Sequence, residues 1–114
     1  MNMYRQGDMM VVATTVDDDK LEEAPSDPRG LVLAEGETSG HYHAVFGPRA
    51  RLMRFKAEPG RVVVVAREGA DVRVVGGGTG GVDRHTPIAL PPGTYEVTIQ
   101  RSWTVAGYSR RVED

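Results

Sequence analysis

The sequence predicts an all-β protein, a small barrel or sandwich of about seven to eight short strands. Three features predict it. Glycine (14) and proline (7) break the chain at close intervals and leave little room for a long helix. Between the breaks lie short runs rich in β-branched residues, which fit a pleated, half-buried surface. In the clearest run, Tyr95, Val97 and Ile99 alternate with Glu96, Thr98 and Gln100, giving one buried and one solvated face.

The expected strands follow in chain order. The first, 8–16 (DMMVVATTV), is an apolar run that closes in β-branched residues, and the second, 30–36 (GLVLAEG), is bracketed by Gly30 and Gly36. Residues 41–46 (HYHAVF) emerge from a Gly-containing turn, and 50–57 (ARLMRFKA) mix basic and apolar positions between Pro48 and Pro59. Residues 61–67 (RVVVVAR) hold four consecutive valines between two arginines, so both faces of that strand must be covered. Strands at 71–76 (DVRVVG) and 86–90 (TPIAL) come next, and PPG at 91–93 turns the chain into the last, 94–103 (TYEVTIQRSW).

Three segments resist a strand reading. Residues 17–29 (DDDKLEEAPSDPR) are acidic and Pro-rich and read as a surface loop, with a short helix over 18–24 as the alternative. Residues 76–81 (GGGTGG) read as a Gly-rich loop; as a phosphate cradle they lack the lysine and the following helix that such a site needs. Residues 109–114 (SRRVED) form a polar tail that docks locally or frays.

At 114 residues the whole chain, 1–114, is expected to be one β-rich domain. With 39% apolar and 26% charged residues its composition is that of an ordinary soluble protein. There is no secretory signal pattern at the N-terminus and no run approaching the ~20 apolar residues of a membrane span. The absence of cysteine excludes disulfides, iron–sulfur clusters and thiol nucleophiles, and the expected location is the cytoplasm. Fourteen basic against 16 acidic residues give a formal charge of −2, which does not attract a polyanion; nucleic acid is not an expected partner. Local basic groups exist at Arg49, Arg51, Arg54 and Lys56, and again at Arg110 and Arg111, but on strands the first group splits between two faces.

The chemistry-bearing residues are the three histidines. On a strand, His41 and His43 share a face with side chains about 6–7 Å apart along the chain. Two neutral imidazoles so placed can chelate one divalent ion, each through a nitrogen at about 2.0–2.1 Å. Glu37 shares their phase if the strand runs unbroken through Gly40, and His85 can complete the set from another strand. Imidazole and carboxylate donors without thiolate suit zinc, iron, manganese, nickel or copper and do not select among them. The same three histidines equally read as a structural hydrogen-bonded cluster, or as an acid–base group. For catalysis no residue stands out: Ser39 lies beside His41 without a nucleophile elbow around it, and Asp17–Asp19 read as a solvated run.

Three blocks, YRQGD at 4–8, LAEGETSGHYH at 33–43 and HTPIALPPGTYEVTIQR at 85–101, resemble a family of small uncharacterised proteins from bacteria and their phages. The blocks occur in the family's order and cover about a third of the chain. The resemblance implies a shared fold and a shared role for the G-H-x-H and H-x-P-I-x-L-P blocks, with His41, His43 and His85 at its motif positions. The sequence departs from the family at Val82, where another histidine is frequent, and at Ser102 and Trp103, where an acidic–aromatic pair is frequent. Cupins are more loosely similar, through His-x-His on a strand after glycine. The cupin motif's later glutamate is missing from AVFGPRARL, and His85 precedes PPG instead of following it.

These readings lead to a non-enzymatic, phage- or prophage-derived protein that acts as a homo-oligomer, because the valine run needs a cover, with a trimer expected over a dimer. Its histidine cluster is structural or metal-binding. The alternatives are a metal-dependent enzyme of cupin-like site geometry, and a virion accessory protein that decorates a phage capsid.

Overall fold

Gly7 and Asp8 close a two-residue hairpin, with Gly7 at φ 63° in the first loop position, a primed turn whose twist matches that of the flanking strands. It sets β1 (Met3–Gln6) against β2 (Met9–Ala13), with Gln6 opposite Met9 and Tyr4 opposite Val11. The structure, a computed structural model, describes residues 2–36, 40–76 and 87–99 with their side chains, and 101–105 and 108–111 as strand paths. The remaining strands are β3 (Leu21–Glu23), β4 (Leu31–Glu35), β5 (His41–Phe46), β6 (Ala50–Phe55), β7 (Val62–Ala66) and β8 (Ala70–Gly76). After them come β9 (Ile88–Leu90), β10 (Gly93–Ile99), β11 (Arg101–Val105) and β12 (Tyr108–Arg111).

Among the described residues these strands form a six-stranded sheet, in the order β1-β2-β10-β7-β6-β3, a four-stranded sheet, β4-β5-β8-β9, and a separate ribbon of β11 and β12. Every strand pairing within them is antiparallel. The chain alternates between the two main sheets, and their inner faces pack into one core. Met9, Val11, Val64, Ala66 and Tyr95 of the larger sheet meet Leu33, Val45, Val72 and Leu90 of the smaller one. Each fully buried valine there contributes about 1.5–3 kcal/mol relative to exposure.

The protein is therefore all-β, and of the two architectures left open by the sequence it is the sandwich. No strand pairing joins the two sheets among the described residues, so the sheets do not close into a barrel. All eight expected segments are strands, and the alternation of the last one holds: Tyr95 is buried opposite Ala13 and Val64, while Glu96 points to the other face. At its two central residues the valine run is covered on both faces within one chain. Val64 enters the core, and Val63, between Met53 and Glu96 on the outer face, is also 0% exposed.

Several boundaries differ. Strand β2 stops at Ala13, before the Thr-Thr-Val that the sequence reading included. The expected 94–103 strand is divided between β10 and β11. The acidic 17–29 segment contains a 3-10 turn, Asp18–Lys20, and then β3, so no helix spans 18–24. The reason is Leu21: its side chain is buried beside Phe55 of β6, and edge pairing gives this apolar residue a cover that an isolated helical turn would not. The tail expected from 109 is in part ordered, because Tyr108–Arg111 pairs with β11. The Gly-rich loop beyond Gly76 lies outside the described residues. No helix among the described residues is long and apolar enough to cross a membrane.

The turn into β10 is fixed by Tyr95, whose hydroxyl donates to the Pro91 carbonyl at 2.6 Å. Burial, reinforced by the adjacent Tyr4 ring, pushes the Tyr95 phenol above the usual 10.0. A phenol raised in the fold is favoured in its neutral form. Its contribution to stability is present below the unfolded value of about 10 and is lost as pH rises through the folded value. In an alkaline titration followed by phenolate absorbance, one tyrosine should ionise after the others. Tyr95→Phe should remove that late step and cost about 1 kcal/mol in urea unfolding.

Candidate functional site

Alternation along β5 places His41, His43 and Val45 on one side, and Val45 lies in the core, so that side faces the larger sheet. The strand is held between β4 and β8, with His43 opposite Ala34 and Val74, and His41 opposite Gly76. Glycines make this close approach feasible. The Gly36 amide donates to the His41 carbonyl at 2.8 Å, and a Cβ on Gly36 would lie 2.9 Å from the Cβ of His41. Gly76 has φ 93°, and a Cβ there would collide with the Gly40 carbonyl. The Gly-containing turn before the His-x-His pair is thus part of the packing around it.

His43 is 2% exposed, and it is partnered across the sandwich by Gln6, also 2% exposed. Gln6 Nε2 donates to the Val72 carbonyl at 3.1 Å, and Gln6 Oε1 lies 2.9 Å from His43 Nδ1. A carbonyl can only accept, so the amide nitrogen of Gln6 must face Val72 and its oxygen must face the imidazole. His43 Nδ1 therefore carries a proton and donates it to Gln6. Holding one ring nitrogen by a hydrogen bond fixes the tautomer and orientation of the other, as in ligating and acid–base histidines. His41 is less deeply placed, but its Nδ1 is buried and has no hydrogen-bond partner among the described residues. Asp8, in the turn that follows Gln6, is 1% exposed.

A second concavity lies along the open side of the sandwich, between β4 and β6 and under the 24–30 segment. Its volume is about 700 Å3, within the range of small-ligand sites. Leu31, Leu33, Ala50, Leu52 and Val62 supply the apolar floor, and Glu23, Asp27, Glu35 and Arg51 line the rim. Arg51 bonds Glu23 at 2.6 Å. Arg29 bonds both Asp27, at 3.0 Å, and Glu35, at 2.8 Å, and its guanidinium lies 4.6 Å from the Tyr42 ring centroid. Hydrogen bonds from Arg29 hold both carboxyls below their usual range.

A family model described as a domain of unknown function, DUF8820, matches residues 5–100. The chain belongs to the DUF8820 family. No curated protein and no solved structure matches it. The DUF8820 region includes Gln6, Asp8, both strand histidines and the β4–β6 groove, and it ends before the β11–β12 ribbon begins.

Of the four expected metal ligands, the structure brings His41 and His43 to one inner face. His85 and Glu37 lie outside the described residues, and no group of three candidate ligands forms among those that are described. The sequence reading missed Gln6, the partner that orients His43. A signal was present: Gly-Asp between two strand-forming stretches reads as a hairpin, which folds Gln6 back onto the sheet.

Two predictions follow from these contacts. Gln6→Leu or His43→Leu leaves a buried polar partner behind and should each cost about 1–3 kcal/mol in urea unfolding. The double variant should cost less than the sum by about 0.5–3 kcal/mol, and strict additivity would show that the two side chains are not coupled. For the Arg29 bracket, Asp27 and Glu35 should titrate below 3.8 and 4.5 when their carboxyl carbons are followed by nuclear magnetic resonance. Lowered carboxyls stabilise the fold above their unfolded values, and this is lost as pH falls through the folded ones. Arg29→Gln should return both carboxyls to their ordinary range.

Proposed function

We propose that this protein works by binding and self-assembly, as a non-enzymatic homo-oligomer whose histidine end takes a divalent transition-metal ion. The observation that carries the metal reading is the pair of imidazoles on β5. His43 is oriented through its Nδ1–H bond to Gln6, and His41 has a buried Nδ1 with no hydrogen-bond partner among the described residues. Two nitrogens on one strand face, with Gln6 as the outer support of one of them, suit zinc, iron, manganese or nickel. His85 is the third ligand in this reading and Glu37 the fourth.

The oligomer is a trimer in this reading, and the likeness of the three sequence blocks to small bacterial and phage proteins supports a phage or prophage origin. The Gln6–His43–Val72 connection favours one other reading of the same residues: a purely structural polar cluster that ties the sheets together and needs no ion.

Metal content by mass spectrometry, on protein purified without a His tag, separates the two. Near-stoichiometric metal is expected, with loss in His41→Ala, His43→Ala and His85→Ala, and a rise in melting temperature on adding zinc, nickel or manganese. Binding should weaken as pH falls through about 6.5, because the ligands must be neutral. Metal-free protein whose melting temperature none of these ions raises would leave the histidines as the structural cluster.

A further inference from the structure

Two features of the chain are unexplained by the histidine end, and they complement each other. The first is the ribbon. Strands β11 and β12 pair with each other and with no strand of either main sheet among the described residues. A two-stranded hairpin alone is marginal in water, and three or more strands or a packing partner are needed for independent stability. This one carries Arg101, Arg110 and Arg111 together with Trp103, Val105 and Tyr108, a basic and apolar composition. It also lies outside the family match, which ends at residue 100.

The second feature is the β4–β6 groove. Its floor is apolar, and its rim has three carboxylates, Glu23, Asp27 and Glu35, against two guanidiniums, that of Arg51 in the lining and that of Arg29, which bonds Asp27 and Glu35. The rim acids bond Arg51 and Arg29, yet the side chains of Glu23 and Glu35 remain 71% and 67% exposed, with room to accept further donors. β4 is one of the two edge strands of its sheet, so one side of its backbone has no strand paired to it among the described residues. A volume of about 700 Å3 holds a few side chains, not a whole ribbon. It fits one strand or the tip of an arm laid along β4.

We propose that the β11–β12 ribbon of one copy docks in the β4–β6 groove of a second copy, and that this exchange of arms is the contact that builds the homo-oligomer. The proposal rests on the homo-oligomer reading above and gives it an interface. The contact is heterologous: an arm meets a groove, not an arm an arm, so each copy both gives and receives, and a closed ring results when the rotation closes. Arginines entering a rim of exposed carboxylates set the orientation and speed encounter, while the apolar residues supply the buried area.

A charge swap tests it. One variant reverses the groove, Glu23→Lys with Glu35→Lys; the other reverses the arm, Arg110→Glu with Arg111→Glu. Circular dichroism and the melting midpoint establish that each is folded, and exposed ion pairs of this kind contribute little to stability. In sedimentation equilibrium the wild type should be a multiple of 12.4 kDa, and each variant alone should fall to the 12.4 kDa monomer. Mixed one to one they should associate again, in even-numbered assemblies since a ring of three cannot alternate two kinds of copy, because the basic arm of the first then meets an acidic groove and the acidic arm of the second meets a basic one. An oligomeric wild type whose mass neither reversal changes overturns the arm proposal and leaves the homo-oligomer reading standing. Folded variants that stay monomeric on mixing also overturn it. A wild type monomeric at every concentration overturns both, and is the result expected if each ribbon lies in its own groove or serves a different partner. If a reversal does not fold, the wild type in high salt still decides: the oligomer should dissociate, and unchanged mass counts against the arm.

Discussion

The Gln6 side chain is the constraint on which the placement of the two sheets depends. The apolar contacts between the inner faces are non-directional and tolerate a shift of one sheet over the other. A hydrogen bond does not tolerate it, because its atoms must meet within a few tenths of an ångström. Gln6 leaves β1 in the larger sheet and reaches two neighbouring strands of the smaller one, at the Val72 carbonyl of β8 and at His43 of β5. All three residues are nearly or fully inaccessible to water. In such surroundings a polar group without its partner is costly, so any slip of register is penalised twice, once at each end of the amide.

What this fixes is the histidine end of β5. That strand is buried on both of its faces at His43, Ala44 and Val45. The inner face is sealed by the core and by Gln6. On the outer face Ala44 sits between Val32 and Arg73, and the two aromatic residues that flank it are covered by cations: Arg29 over Tyr42 at 4.6 Å and Arg73 over Phe46 at 5.2 Å. Long arginine stems cover apolar surface while their charged ends stay wet. They cover part of the outer face of the smaller sheet, although Phe46 remains 43% exposed, and the strand that carries His41 and His43 is held mainly from its inner face.

How much of this was legible depends on how local each signal is. The strands themselves were, because alternation and Gly/Pro breaks act over a few residues: 41–46 and 71–76 are found almost to the residue. Strands β1 and β3 were missed, since their patterns are interrupted. Arg5 and Gln6 make β1 look polar although Gln6 is buried, and β3 has one apolar residue, Leu21, in an acidic run. The choice of sandwich over barrel was not legible, because it depends on which distant edges pair. For the site, the shared face of His41 and His43 could be read from their spacing, but the partner that sets the tautomer of His43 lies 37 positions away. Nothing in the local pattern connects them; only the folded hairpin does.

The edges of the two sheets share a further property that bears on how copies meet. β1, β3 and β9 are only four, three and three residues long, and β9 is preceded by Pro87, which has no N–H to offer an incoming strand. β4, at five residues the longest edge, carries a register irregularity between Val32 and Ala34, and its end is marked by Glu35. Short, bulged and charged edges oppose indiscriminate strand addition, which is the usual hazard of an open sandwich. The two edges beside the groove, β3 and β4, add carboxylates at Glu23 and Glu35 to this protection. Exposed carboxylates at the rim disfavour an acidic strand relative to a basic one. Selectivity of this kind comes as much from what the edge repels as from what the groove holds.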